Sequence, residues 1–255
     1  GGGMAGLCAA VTAARKGSKV VLMHDRPVFG GNASSECRVH ICGADRHNNV
    51  KNMRETGFLE EVRMENLYRN PNRNFSVWDS LLYDKIISEP NITSLLNCTC
   101  QSAEMNGSSI QSVTGWQLTS QTYHIVEANI FADCSGDAVL APVTGADYRI
   151  GREARDEYQE SIAPEKADNR TMGMTCLFQA REYNSLQTFE PPHWARKFET
   201  CDELPGGVGR HSWFEMGYWW VELGGEQDSI HDTEELRDEL LKITFGIWDH
   251  IKNRC

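Results

Sequence analysis

The sequence predicts an α/β fold built on a parallel sheet, followed by a smaller, β-rich α+β region. The chain opens in a glycine-rich turn, enters an alanine-rich helix, and continues into a short apolar strand. This order is most of a β-α-β unit, and the strand expected before the turn is absent from the sequence. We therefore expect a Rossmann-like domain with a truncated first strand over residues 1–150. Part of a second domain is expected over residues 151–255, so the chain is expected to be a fragment that is incomplete at both ends.

The first helix is predicted over Met4 to Lys16, where small residues dominate. Alanine is the best helix former, and its short side chain lets a helix lie close to a sheet. Gly17 suits the end of the helix, where a positive φ is usually needed. The apolar run from Lys19 to His24 is then typical of a strand buried on both faces.

The middle of the chain is predicted to combine loops, helices and an inserted hairpin. A loop-rich stretch follows His24, and helical apolar spacing is found over residues 53–69 and 76–88. The dipeptide at Asn106 and Gly107 indicates a hairpin turn inside an insertion at about residues 95–127. In "YHIVEANIFADCSGDAVL" a further strand is expected to end at a small, acidic turn.

The second region ends in a strongly patterned helix. Asp232 with Glu235 three residues later forms a capping-box pattern. The apolar stripe that follows predicts core packing; its members are Leu236, Leu240, Ile243, Ile247 and Ile251. Upstream, "TMGMTCLFQAR" is predicted to be a strand. A group of aromatic residues could wall a substrate pocket, but strand packing is favoured; the group is Trp213, Phe214, Tyr218, Trp219 and Trp220.

Composition excludes several function classes. The 255 residues carry a net charge of −11, which argues against nucleic acid as the main partner. No run approaches the roughly 18 apolar residues of a membrane span. The nine cysteines form no CxxC pair, so neither a zinc ribbon nor an iron–sulfur cluster is indicated, and no metal ligand is predicted. The compartment and the oligomeric state stay open.

The opening glycines follow the pattern G-x-G-x-x-G at Gly1, Gly3 and Gly6. In a dinucleotide-binding turn the first glycine allows the tight turn, the second lets a pyrophosphate approach the backbone, and the third permits close helix packing. Met4 and Ala5 would then direct helix N-terminal N–H groups at the phosphates.

The position that usually carries an acidic residue for the adenosine ribose holds His24, with Asp25 directly after it. Either His24 contacts the ribose, or a small shift brings the Asp25 carboxylate there. Arg26, the next residue along the chain, is also predicted to contact the cofactor.

The stretch "GGGMAGLCAAVTAARKGSKVVLMHDRPVFGGNASSE" resembles the N-terminal region of glutathione-reductase-like FAD proteins. Within the chain, "DRPVFGGNASSE", "ADCSGDAVLAPVTGADYRIGRE" and "TMGMTCLF" resemble the bacterial FAD-dependent oxidoreductase family. That family is related to the flavoprotein component of heterodisulfide reductases. The resemblance covers nearly the whole chain and implies FAD as the cofactor.

The resemblance also implies which further residues bind the cofactor. Gly30 and Gly31 match a second glycine pair that passes near the pyrophosphate, where a backbone without Cβ allows close approach. Arg38 is a cation that could offset the diphosphate charge. The remaining implied contacts are Asn32, Ser34, Ser35, Gly136 and Asp137.

Candidate catalytic residues lie just after the second glycine pair. A bound flavin performs the redox step itself, so no Ser/His/Asp triad is required, and none is found at a convincing spacing. His40 could act as an acid/base or donate to the flavin, and Cys42 could be a redox thiol. Packing or a local hydrogen bond remains the alternative for both.

The function predicted is flavin-mediated transfer of a hydride or electrons between a small-molecule substrate and an unknown electron donor or acceptor. One alternative is an NAD(P)-binding Rossmann enzyme, and another is a catalytically silent flavoprotein-like subunit. Because an absent first strand would leave a sheet edge unpaired, residues 1–255 alone are expected to bind FAD poorly.

Overall fold

The computed structural model describes residues 1–42, 53–176, 178, 180, 182–205 and 221–255. The chain divides into two compact units, Gly1–Tyr148 and Arg149–Cys255. Within the described residues, no helix is both long enough and apolar enough to cross a lipid bilayer.

The first unit begins with the predicted helix and strand. Helix α1 spans Met4–Arg15 and strand β1 spans Val20–Met23. Gly17 follows the helix with a φ of +93° and donates its N–H to the Ala14 carbonyl at 2.9 Å. Only glycine adopts this conformation at little cost, so the predicted glycine stop is confirmed.

Two further helices complete the parallel part of this unit. They are α2 (Gly57–Arg69) and α3 (Phe75–Ile87), followed by strand β2 (Ile92–Leu95). Strand β2 pairs with β1 in parallel, from Val20 opposite Ile92 to Met23 opposite Leu95. A core forms among these elements because their apolar faces converge; its buried members are Leu7, Ala10, Val11, Leu22, Phe29, Phe58, Val62, Trp78, Leu82 and Ile86.

The predicted Rossmann sheet is present only as this pair of parallel strands among the described residues. The strand expected to continue to the acidic turn ends at Glu127, and residues 128–134 reach the turn without a ladder partner in the described chain. That part of the prediction is wrong, because apolar alternation does not reveal where a neighbouring strand stops pairing.

A three-stranded antiparallel sheet forms the insertion. Its strands are β3 (Cys98–Asn106), β4 (Ser109–Gln117) and β5 (Thr122–Glu127), in the order β3-β4-β5. Gly107 turns the first hairpin with a φ of +60°, so the hairpin predicted at Asn106 and Gly107 is present. A short helix, α4 (Leu140–Thr144), follows.

The second unit contains little regular strand in its described part. Helix α5 spans Arg155–Tyr158, and β6 (Met174–Thr175) pairs antiparallel with β7 (Glu222–Leu223). The β-rich expectation is therefore not met by the residues described there. Among the described residues of the strand predicted at 171–181, Met174–Thr175 are the two that form a strand. The predicted aromatic group Trp213, Phe214, Tyr218, Trp219 and Trp220 lies outside the described residues.

The last helix, α6 (Thr233–Asn253), carries the core of this unit. Its predicted stripe is buried at Leu236, Leu240, Ile243 and Ile247, and Ile251 packs half-buried beside them. The partners that close this core are Phe198, Leu204 and Val221. The stripe is thus confirmed as core packing.

The predicted capping box at the start of α6 is wrong. The Asp232 side chain bonds no helix N–H group, and its Oδ2 instead accepts from the Asp228 N–H at 3.2 Å. Asp228 organises the turn before the helix by accepting from the Ile230 and His231 N–H groups. Because this turn engages Asp232, the sequence pattern with Glu235 does not form the reciprocal cap.

Candidate functional site

The two glycine segments meet backbone to backbone in the first unit. The Gly30 N–H donates to the Gly2 carbonyl at 2.9 Å, and Gly3 forms an isolated parallel bridge with Gly30. Gly30 and Gly31 have φ values of +114° and +57°, which disfavour any side chain. A Cβ on Gly31 would lie 3.1 Å from the Gly3 Cα. We call Gly2, Gly3, Gly30 and Gly31 the glycine junction.

The N-terminus of α1 lies at this junction. Gly3 is its cap residue and has no side chain, and the first turn holds no acidic residue. The first helical hydrogen bond runs from the Leu7 N–H to the Gly3 carbonyl at 2.9 Å. The N–H groups of Met4, Ala5 and Gly6 precede that bond, so they have no intrahelical acceptor and carry the positive end of the helix dipole. This end is suited to an anion.

Two other glycines serve packing. A Cβ on Gly1 would lie 2.0 Å from the Cys134 carbonyl oxygen, and a Cβ on Gly6 would lie 1.8 Å from the Gly1 carbonyl oxygen. No real Cβ approaches an oxygen so closely. Gly1 and Gly6 therefore let the opening turn, helix α1 and the chain at Cys134 approach one another.

His24 is buried and faces the opening turn. The Gly2 N–H donates to His24 Nδ1 at 3.1 Å. A Cβ on Gly2 would lie 2.7 Å from the ring's Cγ, so only glycine leaves room for it. His24 Nε2 is also buried and has no hydrogen-bond partner among the described residues.

Asp25 presents its carboxylate at the surface, with 57% of the side chain exposed. Its Oδ1 lies 3.2 Å from His24 Nδ1. This contact with the His24 ring is the main reason why the pKa of Asp25 lies below its ordinary value; its partial burial works against the shift. Of the two residues that the sequence offers for the ribose, the structure thus places His24 inside and Asp25 at the surface.

The loop around the second glycine pair is held by polar contacts. Arg26 donates two hydrogen bonds, of 3.0 and 2.9 Å, to the Glu36 carboxylate, and this pairing raises the pKa of Arg26. Ser34 is buried, and its Oγ accepts from the Glu36 N–H at 3.2 Å. The Ser35 N–H donates to Asp79 Oδ1 at 2.9 Å. The Arg26 charge is thus already neutralised, and the Ser34 hydroxyl faces its own loop.

Arg38 follows this loop as an exposed cation. Its Nε donates to the Ser35 carbonyl at 3.1 Å, and its guanidinium lies 5.5 Å from the centre of the Phe75 ring. In the described parts of the chain it forms no ion pair with a carboxylate. Asn32, also exposed, accepts at its backbone carbonyl from the Val39 N–H at 2.8 Å. Arg38 therefore retains a positive charge close in sequence to the junction.

The "CSGD" turn lies against the first glycine, because the Cys134 carbonyl touches the Gly1 position. Asp133 shapes this turn by accepting from Ser135 N–H at 2.9 Å and from Leu140 N–H at 2.7 Å. Burial opposes ionisation of Asp133, but these hydrogen bonds outweigh it and lower its pKa. Gly136 has a φ of +94°, and both Gly136 and Asp137 are exposed.

His40 and Cys42 lie together at the surface, with His40 Nε2 3.3 Å from Cys42 Sγ. No contact within the described residues joins this pair to the glycine junction. Residues 43–52, which follow directly, are outside the described chain. A catalytic role for either residue stays a prediction.

Several further residues shape the site, and their sequence signals are weak or absent. Gly2 makes room for His24, and the run of three glycines was the available signal. Asp133 was detectable as an Asp-x-Ser turn pattern. Asp79 gave no signal, because it lies 44 residues from the Ser35 N–H that it binds.

A parallel strand pair, a glycine turn opening a helix, and a second glycine segment at the helix N-terminus define a dinucleotide-binding protein. A family model described as FAD dependent oxidoreductase matches residues 1–251, and the chain belongs to this family. The family binds FAD and its members are oxidoreductases. A comparison with curated proteins gives no significant match.

The junction combines several features that suit an anionic group. The absence of Cβ atoms at Gly3 and Gly31 lets these two backbone segments pack against each other, and the α1 N-terminus supplies unpaired donors and positive potential. Arg38 adds a charge that no described carboxylate neutralises. These features favour an anion at this place.

Proposed function

We propose that the glycine junction binds the diphosphate of FAD. The observation that carries the proposal is the bridge between Gly3 and Gly30 at the N-terminus of α1, since it joins both glycine segments to one anion-binding helix end. Met4, Ala5 and the backbone at Gly31 would donate N–H groups to phosphate oxygens, and Arg38 would offset the remaining charge.

Asp25 is the residue that we assign to the adenosine ribose. Its carboxylate is exposed and has a lowered pKa, so it is ionised at neutral pH and can accept from ribose hydroxyls. His24, which is buried between Gly2 and Asp25, would act as a positioning residue for that carboxylate. Arg26 would hold the loop through Glu36.

The remaining assignments concern the flavin side of the cofactor. Asn32, Ser34 and Ser35 would form the loop that leads from the diphosphate toward the flavin, and Gly136 and Asp137 would border the cofactor at the "CSGD" turn. When bound, the flavin accepts an electron pair from one molecule and passes it to another. His40 is proposed to hold or deliver a proton at Nε2, with Cys42 as its thiol partner 3.3 Å away.

At the level of domains, we propose that residues 1–150 form the FAD-binding domain and that residues 151–255 contribute part of a substrate domain. The substrate is proposed to be a small molecule. A relationship to the flavoprotein component of heterodisulfide reductases is proposed on the motifs "DRPVFGGNASSE" and "ADCSGDAVLAPVTGADYRIGRE" alone.

A matched pair of glycine variants tests the diphosphate site. Gly31 and Gly107 both have a positive φ, +57° and +60°, so alanine strains the backbone similarly at each. Only Gly31 lies at the junction, whereas a Cβ on Gly107 would meet nothing within 4 Å. We expect Gly31→Ala to weaken FAD binding by roughly 10-fold or more, about 1.4 kcal/mol, and Gly107→Ala to leave it unchanged.

The measurement is an absorption spectrum of each purified full-length protein, with chromatography of the cofactor released on denaturation and a titration of the stripped protein with FAD. Stoichiometric FAD in the parent and the Gly107 variant, and loss in the Gly31 variant, would support the proposal. Equal FAD affinity in both variants would place the diphosphate elsewhere.

A further inference from the structure

Three potential metal ligands meet in the second unit, two from the end of α6 and one from a turn about 50 residues earlier in the chain. Cys201 Sγ lies 3.3 Å from His250 Nε2 and 3.7 Å from Cys255 Sγ. All three ligand atoms lie within 4.8 Å of one another. We propose that Cys201, His250 and Cys255 bind a zinc ion, which ties the end of α6 to the turn at Cys201–Glu203.

The distances match those of a tetrahedral ion. With Zn–S near 2.3 Å and Zn–N near 2.0–2.1 Å, two sulfur ligands lie about 3.8 Å apart, and a sulfur and a nitrogen lie about 3.5 Å apart. The observed separations of 3.7 and 3.3 Å are within a few tenths of an ångström of these values. The two sulfurs are much farther apart than the roughly 2.05 Å of a disulfide.

The histidine is oriented as a metal ligand requires. His250 is buried, and its Nδ1 lies 2.9 Å from the Phe198 carbonyl oxygen. A carbonyl only accepts hydrogen bonds, so Nδ1 carries the proton and the lone pair of the neutral ring is on Nε2, the nitrogen near Cys201. A backbone carbonyl that fixes the tautomer in this way is the usual outer partner of a metal-bound histidine.

The backbone at the end of α6 returns Cys255 to the cluster. The Arg254 and Cys255 N–H groups both donate to the His250 carbonyl, at 3.0 and 2.8 Å. Cys201 approaches from the other side, in the short 3₁₀ turn Cys201–Glu203. The helix end and the turn are thus held close before any ion is bound.

The chemistry of the donors selects the ion. Two sulfurs and one imidazole nitrogen favour zinc over magnesium or calcium, which prefer oxygen. Binding replaces the two thiol protons with the cation and changes no oxidation state: one Zn²⁺ enters and two protons leave. The described residues supply three of the four ligands that zinc usually takes.

The surrounding unit explains what the ion would contribute. The described part of this unit has a small apolar core around α6 and two strands of only two residues each. Small cores are commonly supplemented by a metal or disulfide cross-link. Zinc at this place would add a cross-link between residues 201 and 255, beside the exposed ion pair that Arg254 forms with Glu199.

The test is a zinc titration of the full-length protein after removal of metal by a chelator, with Zn²⁺ alone as the probe. We expect one zinc per chain. Cys201→Ser and Cys255→Ser should each weaken zinc binding by more than about 100-fold, since loss of an outer partner alone costs 10–100-fold. Cys100→Ser is the matched control, because Cys100 is a half-buried thiol like Cys201 but lies in β3.

Cobalt substitution adds a readout that a structural role of the cysteines would not change. Co²⁺ at this site should give thiolate-to-metal absorption in the parent and in Cys100→Ser, and weaker absorption in each single cluster variant, because one thiolate is missing. Cys255 is exposed at the helix end, so Cys255→Ser is expected to fold, which circular dichroism checks.

Two outcomes would overturn the proposal. The first is a parent protein that binds no zinc in the titration, or that contains a Cys201–Cys255 disulfide in place of the metal. The second is zinc affinity that is equal in the parent and in a folded Cys255→Ser variant. The titration is done on protein without FAD, so its result does not depend on the proposed flavin site.

Discussion

The burial of His24 is the reason why the ribose contact is assigned to Asp25. The sequence offers two neighbouring polar side chains for the ribose, and the burial of His24 against Gly2 leaves only the Asp25 carboxylate at the surface. A carboxylate that accepts from hydroxyl groups must be ionised. The ordinary pKa of an aspartate already ensures this at neutral pH, and the lowered pKa of Asp25 extends ionisation to more acidic solution.

Replacement of Asp25 by asparagine is expected to weaken FAD binding by roughly 10- to 100-fold, because hydrogen bonds to a charged group contribute about 1.5–3 kcal/mol. The affinity of the parent should persist to a lower pH than a carboxyl of ordinary pKa would allow, because the pKa of Asp25 is lowered in the folded protein. Titration of the stripped full-length protein with FAD at several pH values measures both effects.

Asp156→Asn, in the exposed first turn of α5, is a control of the same charge change. It should leave FAD affinity unchanged. If Asp25→Asn binds FAD as tightly as this control, the ribose contact belongs to another residue.

The Glu61 carboxylate links the three helices α1, α2 and α3. Glu61 of α2 accepts from Arg15 of α1 at 2.7 Å and from Lys85 of α3 at 2.7 Å. The Arg15 hydrogen bond is the main cause that lowers the pKa of Glu61 from 4.5 to about 2. Because this side chain is 38% exposed, solvent screens part of the interaction.

Glu61→Gln is therefore expected to reduce the free energy of unfolding by up to about 1 kcal/mol at neutral pH. A carboxyl with a lowered folded-state pKa stabilises above its unfolded pKa, and the contribution disappears as the pH falls through the folded-state value. The difference between parent and variant should thus be constant above pH 4.5 and vanish toward pH 2. Denaturant unfolding at several pH values measures it.

Glu226→Gln removes a carboxylate whose ion pair with Arg170 is exposed on both sides. Its effect on the free energy of unfolding should be near zero at every pH. A Glu61 variant that behaves like this control would show that the three helices are held by apolar packing alone.

The elements that the sequence predicts correctly are those whose signals are local. Helix α1 and its stop at Gly17 follow from neighbouring residues, as does the hairpin at Gly107. The pairing of β1 with β2 joins Val20 to Ile92, and nothing in either strand specifies the other. Asp232 shows the converse. Its sequence pattern predicts a capping box, but the side chain accepts a hydrogen bond from the Asp228 N–H and does not cap the helix.

The residues of the site also divide into those with a local sequence signal and those without one. The glycine pattern and the acidic residue after β1 were visible because each uses adjacent positions. The contact between Ser35 and Asp79, and those of Cys201 with His250 and Cys255, join residues more than 40 positions apart. Such contacts arise from the folded chain, and a single sequence carries no signal for them.

For the whole molecule, the two units have separate cores. Leu82 is fully buried in the core of Gly1–Tyr148, and Ile247 is fully buried in the core of Arg149–Cys255. The two sets of buried residues have no member in common. Each unit therefore has its own apolar contribution to stability.

We expect Leu82→Ala and Ile247→Ala each to destabilise its own unit by about 2–5 kcal/mol. Hydrogen exchange measured by mass spectrometry should show faster exchange in peptides from α1 and α3 for the first variant, and from α6 for the second. Equal acceleration throughout the chain in both variants would mean that the units unfold together.

The close approach of Gly1 to Cys134, and of Gly6 to Gly1, bears on how related sequences should be interpreted. These two glycines are required by the fold itself, so a descendant that had lost its cofactor would still have to keep them. Asp25 has no such obligation to the packing of the fold, because its side chain is 57% exposed. A genome survey that seeks inactive copies of this protein should therefore examine residue 25, because the first and last glycines of the opening motif would persist in active and inactive copies alike.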